Sequence, residues 1–137
     1  MKHGQGERLE TIYPSRGGSA ARMRRALRRY LHARTLDAGV IYDVVLAADE
    51  AFVNAVSHAE AADGDIRVTA CVSDSEAAVE VRDGGAGFTP RPPGPRPLPD
   101  VRRAHGRGLF LIECLMDEVS VRSGRSGTTV RMIRHLG

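Results

Sequence analysis

Residues 41–60, IYDVVLAADEAFVNAVSHAE, form the most regular stretch of the sequence. Their apolar residues recur with a period near 3.6, which is typical of a helix with one buried face. We therefore expect a helix over about 40–60 that ends near Asp63-Gly64, where glycine favours termination. The apolar stripe consists of Ile41, Val44, Val45, Ala48, Phe52, Ala55, Val56 and Ala59.

The opposite face of this predicted helix carries three polar side chains at i, i+4 and i+8. They are Glu50, Asn54 and His58, and this spacing places a carboxylate, a carboxamide and an imidazole on one side of the helix. Such a triplet more often forms an ordinary solvent-exposed face than a functional site. We expect His58 to be a hydrogen-bonding group of that face rather than a phosphate acceptor.

A hairpin follows the helix. Residues 66–72 and 77–81 alternate apolar and polar side chains, and the polar turn 73–76 joins them, a pattern that predicts two antiparallel strands. The second strand runs directly into DGGAGF, residues 83–88. Glycines permit a close approach that larger side chains would block, although most glycine-rich turns are only turns.

The segment before the helix is basic. Residues 1–40 contain nine basic and three acidic residues. Ala20, Met23, Leu27, Tyr30 and Leu31 recur at helical spacing and predict an amphipathic helix over about 18–35, with arginines on its other faces. Those arginines form either a solvated face or a partner-binding surface. A nucleic-acid contact is disfavoured because no aromatic residues alternate with them for base stacking. Residues 9–13 are short enough for an edge strand.

The segment after the hairpin contains a second glycine motif. Six of the seven prolines lie within 89–105, which predicts an irregular loop. HGRGLFLI, residues 105–112, then opens a buried helix that continues to Met116. Strands are expected at 118–122 and through 129–132, on either side of a turn at 123–127. Thr128 opens the last strand with a hydroxyl that either faces a site or satisfies the turn.

Length and composition indicate a single globular domain over 1–137. The chain is 42% apolar and 27% charged, and no apolar run reaches the roughly 18 residues of a membrane span. The N-terminus lacks the apolar core of a signal peptide, so we expect a cytoplasmic protein without membrane association. Residues 1–8 are expected to be disordered. Cys71 and Cys114 show no zinc-ligand spacing and are expected to be reduced core residues.

The order of these motifs resembles the ATP-binding domain of the GHKL superfamily, the histidine-kinase-like ATPases. DEAFVNAVSHA resembles its asparagine box, VRDGGAGF and HGRGLFLI its two glycine boxes, and GTTVRM its last motif. Within the superfamily, the chain looks most like the bacterial anti-sigma-factor serine kinases of the partner-switching type, over residues 8–136. The resemblance implies an α/β (α+β) two-layer sandwich with helices on one face of a mixed sheet. It also implies that residues 89–105 form an ATP lid.

The resemblance further implies a site for ATP and Mg²⁺. Asp83 would accept a hydrogen bond from the adenine amine, Asn54 would bind Mg²⁺ and Glu50 would act as the general base. The resemblance assigns nucleotide binding to the other motif residues. Of these, Arg103 and Arg107 would either bind phosphate or be ordinary surface arginines. These remaining positions are Gly85, Gly87, Arg103, Gly106, Arg107, Gly108 and Thr128.

The partners implied by the resemblance are a sigma factor and an anti-sigma-factor antagonist protein, which the chain would phosphorylate on serine. A homodimer through the first strand and first helix is also expected, partly burying the stripe of Met23, Leu27, Tyr30 and Leu31. The alternative is a non-catalytic ATP-binding switch that binds a partner through its basic first helix. Direct nucleic-acid binding is not expected, because the net charge is only +3.

Overall fold

The computed structural model describes residues 7–16, 18–62, 64–84, 106–124 and 127–137, with backbone alone for 58–62 and 106–108. Each helix and strand expected within these ranges is present, with ends that differ by a few residues. The strands are β1 (Leu9–Pro14), β2 (Asp65–Val72), β3 (Glu76–Arg82), β4 (Glu118–Gly124) and β5 (Gly127–His135), and the helices are α1 (Ser19–His32), α2 (Ala38–Ala62) and α3 (Gly106–Leu115).

The five strands form one sheet in the order β1-β2-β3-β5-β4. The expected two-layer sandwich is confirmed, but every strand pair in the described ranges is antiparallel, so the expectation of a mixed sheet is wrong for them. The reason lies in the position of β5. It is inserted between β3 and β4, which run in the same direction, and it pairs antiparallel with both.

Alternation along the strands separates a covered face from an outer face. On β2 and β3, every second side chain is buried beneath the helices, as the period of two predicts. Phe52 of α2 and Leu27 of α1 are completely buried in this layer. The outer face carries cross-strand ion pairs instead, among them Arg131 with Glu80 at 3.0 Å.

The apolar stripe of α1 lies entirely within the fold of its own chain. Met23, Leu27, Tyr30 and Leu31 are all buried against the sheet and α2. The expectation that a second copy buries part of this stripe is therefore wrong, because covering the sheet already takes these side chains out of water.

The cysteines correct a smaller expectation. Both are free, but Cys71 is half-buried and Cys114 is exposed. Neither is a core residue, because Cys71 follows the buried Ala70 on an alternating strand and Cys114 lies away from the buried side of α3, which Ile112 marks.

Two contacts show how α2 crosses the sheet. Near the start of α2, Asp43 Oδ2 accepts a hydrogen bond of 2.6 Å from Arg134 of β5. In the second half of α2, the ring of Phe52 meets Tyr13 of β1 edge-on, with the centroids 5.6 Å apart. The helix is thus attached to the sheet at both points.

These contacts lie towards opposite ends of the strands. Tyr13 lies opposite Ile66, and the neighbouring Arg67 lies opposite Arg82, the last residue of β3. Arg134 instead pairs near the start of β3. The middle of α2 therefore lies towards the end of the sheet where β3 stops and β5 begins.

Helix α3 runs back along α2. Arg134 donates to the backbone oxygen of Leu115 at 3.1 Å, which places the last turn of α3 beside the first turns of α2. Because α3 packs against α2, its first turn, from Gly106, is directed towards the half of α2 that carries Asn54. Within the described ranges, no helix is both long and apolar enough to cross a membrane.

Candidate nucleotide site

The centre of the candidate site is a pair of reciprocal hydrogen bonds where β3 ends and β5 begins. The amide of Asp83 donates to the carbonyl oxygen of Thr128 at 2.9 Å, and the amide of Thr128 donates to Asp83 Oδ1 at 3.1 Å. Asp83 is only 6% exposed. A carboxylate buried in this way is costly unless it is hydrogen-bonded, so the Thr128 amide both stabilises and orients it.

The hydroxyl of Thr128 has a different partner. Its Oγ1 lies 3.1 Å from Ser123 Oγ across the β4-β5 hairpin. This contact lies beside the turn, and the expected contact of Thr128 with adenine stays a prediction. Thr128 contributes to the corner at Asp83 through its backbone.

Glu50 and Asn54 lie one turn apart on α2, and both are half-buried. They flank the buried Phe52, which fixes this part of the helix against β1. Both side chains therefore belong to the half of α2 that lies towards the Asp83 end of the sheet. Their half-exposure leaves them accessible to a ligand bound between the helices and the end of the sheet.

Asp49 precedes Glu50 but faces α1. Its Oδ1 accepts a hydrogen bond of 2.9 Å from Arg24, and both side chains are partly exposed. Sequence reasoning missed this ion pair, because pairing between separate helices depends on how the helices pack. The consequence is that Asp49 is engaged by α1, while Glu50 lies on a different face of α2.

The first turn of α3 supplies backbone amides at the same end of the molecule. The four N-terminal N–H groups of a helix have no partners within it, and the helix dipole favours an anion there. Gly106, Arg107 and Gly108 form this turn. Three other predicted site residues, Gly85, Gly87 and Arg103, lie outside the described residues.

The residues present fit a nucleotide with Mg²⁺. A buried carboxylate at a strand end suits an exocyclic amine, and a carboxamide oxygen is a hard ligand of the kind that Mg²⁺ accepts. The described residues contain no group of three or more His, Cys, Asp or Glu that could hold a metal ion.

The chain matches a known domain family over most of its length. Residues 13–134 match the family described as the histidine kinase-like ATPase domain. The chain is 31% identical over 101 residues to a protein named anti-sigma F factor from Bacillus subtilis, covering 69% of this chain and 68% of the relative. It is 36% identical over 113 residues to the serine-protein kinase RsbW of Staphylococcus epidermidis, covering 72% and 70%.

A solved structure shares the fold. It contains the RsbU and RsbW domains of Rv1364c from Mycobacterium tuberculosis, and it superposes with a TM-score of 0.72 at 27% identity. The superposition covers 94% of this chain but 32% of the solved chain. The present chain thus spans about a third of that protein and is similar to one portion of it.

Proposed function

Because the chain belongs to the histidine kinase-like ATPase domain family, we propose that it is an ATP-dependent protein serine kinase that acts as an anti-sigma factor. It binds a sigma factor and phosphorylates an antagonist protein on serine. The observation that carries the nucleotide part is the buried Asp83 carboxylate held by Thr128 at the junction of β3 and β5. The names of the relatives, anti-sigma F factor and serine-protein kinase RsbW, support the partner and kinase parts.

Base selection follows from the hydrogen-bonding capacity of Asp83. An ionised carboxylate only accepts hydrogen bonds. It therefore suits the exocyclic amine of adenine and disfavours guanine, which presents a carbonyl oxygen at that position. Because Asp83 is buried, water cannot replace a mismatched partner, and the penalty for the wrong base is larger than on an exposed surface.

The polar face of α2 has two roles in this proposal. Asn54 would hold Mg²⁺, and the ion would offset the negative charge of the phosphates when the nucleotide is bound. Glu50, one turn earlier, accepts the proton of the serine hydroxyl that attacks the γ-phosphorus, and the leaving group is ADP. Gly106 and Gly108 let the phosphates approach the backbone amides of α3.

Transfer of labelled phosphate to the antagonist protein in a single turnover tests this assignment. Glu50→Gln preserves volume and hydrogen bonding but removes the base, so we expect ATP binding near the wild-type level and transfer slowed by about 10²-fold or more. Asp49→Asn is the matched control, because it removes the neighbouring carboxylate, which is paired with Arg24. Wild-type transfer rates in Glu50→Gln would refute the base assignment.

One observation is shared with the alternative, a non-catalytic ATP-binding switch that docks a partner through α1. Arg25, Arg28 and Arg29 are exposed, and this helix contains no acidic residue. Such a surface suits an acidic partner whether or not phosphate is transferred. The same assay separates the two functions: a wild-type protein that binds ATP and the sigma factor but transfers no phosphate is a switch.

A further inference from the structure

Gly127 makes the closest backbone approach at the candidate site. A Cβ atom added there would lie 2.0 Å from the carbonyl oxygen of Asp83 and 2.8 Å from both its carbonyl carbon and Gly84 Cα. All three atoms belong to the backbone, so no side-chain rotation relieves the overlap. The φ of Gly127 is +112°, a conformation that residues with a side chain rarely adopt.

Two other glycines lack this combination. Gly124, which pairs with Gly127 across the turn of the same hairpin, has no atom within 4 Å of an added Cβ. Gly18, before α1, has a φ of +89° but the same open surroundings. An added Cβ would collide with Asp83 at Gly127 but not at Gly18, which also has a positive φ, and not at Gly124, which also borders the hairpin turn.

We propose that Gly127 is a positioning residue for base selection: its missing side chain lets β5 close on Asp83, and this closure orients the carboxylate that chooses adenine. The proposal rests on the proposed function, because it assigns Gly127 to the same nucleotide site. Gly127 touches no nucleotide in this mechanism. It acts through the two bonds between Asp83 and the adjacent Thr128.

A side chain at position 127 has a specific physical consequence. Backbone oxygen and Cβ atoms do not approach within about 3 Å, so Gly127→Ala must move the start of β5 away from Asp83. Both bonds of 2.9 and 3.1 Å then lengthen beyond useful hydrogen-bond geometry. The Asp83 carboxylate loses the amide that orients it, while the proposed Mg²⁺ ligand on α2 and the phosphate-binding amides of α3 are unchanged.

The test compares three variants in the full chain: Gly127→Ala, Gly124→Ala and Gly18→Ala. The first readout is amide hydrogen exchange at Asp83 and Thr128, which we expect to accelerate at least about tenfold in Gly127→Ala alone. The second is the ratio of ATP to GTP affinity, measured by calorimetry with Mg²⁺. We expect this ratio to fall by about tenfold or more in Gly127→Ala and to keep its wild-type value in both controls.

The ratio separates positioning from a merely structural role. General destabilisation of the fold weakens the binding of ATP and of GTP to the same extent. An unchanged ratio of ATP to GTP affinity in Gly127→Ala therefore overturns the proposal. A loss of selectivity of the same size in Gly18→Ala also overturns it, because backbone strain far from the site would then be sufficient. A wild type that binds no nucleotide refutes the proposed function, while exchange at Thr128 still tests whether Gly127 positions Asp83.

The wild type provides a further test should Gly127→Ala not fold. The Thr128 amide must be protected from exchange in the free protein, because it is bonded to Asp83. ATP must increase that protection more than GTP does. Exchange of this amide at the rate of an exposed loop, or equal protection by both nucleotides, would overturn the proposal.

Discussion

Replacing Asp83 separates its structural role from its proposed role in base selection. Asp83→Ala removes the acceptor of the Thr128 amide, which is held at 3.1 Å beside a carboxylate only 6% exposed. An unsatisfied amide of this kind costs about 1–3 kcal/mol of folding free energy. For a domain of this size, the midpoint of thermal unfolding should fall by roughly 3–10 °C.

Asp83→Asn is the more informative change. The asparagine oxygen can still accept the hydrogen bond from Thr128, so the unfolding midpoint should stay much closer to that of the wild type. With the oxygen held in this way, the amide nitrogen takes the place of the second carboxylate oxygen, and a donor then faces the adenine amine. Because a hydrogen bond to a charged group contributes about 1.5–3 kcal/mol, ATP affinity should fall by roughly 10- to 100-fold.

The affinity for GTP should change in the opposite direction in Asp83→Asn. The carbonyl oxygen of guanine can accept a hydrogen bond from the asparagine amide, so GTP affinity should stay the same or rise in this variant. Asp83→Ala should weaken ATP binding without strengthening GTP binding. Calorimetric titration of all three proteins with both Mg²⁺-nucleotides, beside their unfolding curves, measures each term. Wild-type ATP affinity in Asp83→Asn would refute the base-selection mechanism. Destabilisation of Asp83→Asn equal to that of Asp83→Ala would refute the stated role of the Thr128 bond.

Three further predictions concern other parts of the molecule. Asn54→Ala should bind ATP equally with and without Mg²⁺, and calorimetry that still shows enhancement by Mg²⁺ would contradict the metal assignment. The hydrogen bond of 2.8 Å that protonated His135 donates through Nε2 to Glu118 Oε2 raises the pKa of His135, so Glu118→Gln should lower this pKa in an NMR titration. The associated stabilisation is complete below the ordinary value of about 6.5 and is lost as pH rises through the raised pKa. Arg134→Ala, which removes the partly buried bonds to α2 and α3, should destabilise the fold by about 1–3 kcal/mol in chemical denaturation. Arg131→Ala, which breaks an exposed pair, should cost less than about 1 kcal/mol.

Local periodicity predicts most of the secondary structure because burial on one face leaves a repeat in the sequence itself. The stripe around Phe52 predicts α2, and alternation predicts the β2-β3 hairpin. The edge position of residues 9–13 is also confirmed by the strand order. Each of these features depends on residues that are near one another in the chain.

Contacts between distant residues are the part that periodicity does not reveal. The insertion of β5 between β3 and β4 depends on pairing across α3, and no local repeat encodes it. The Arg24–Asp49 pair likewise depends on the packing of two helices. For the candidate site, the motif order identifies Asp83 and Thr128, but the close approach of Gly127 to Asp83 appears only in three dimensions.

The position of β5 has a consequence for biosynthesis. It is the last of the five strands to be translated, yet it lies inside the sheet between β3 and β4. Until it emerges from the ribosome, β3 has an open hydrogen-bonding edge, and such edges recruit strands from other chains. The Asp83 carboxylate is synthesised long before the amide that orients it. Under the proposed function, ATP binding requires this oriented carboxylate, so the nucleotide would stabilise the domain only after the final strand has been inserted.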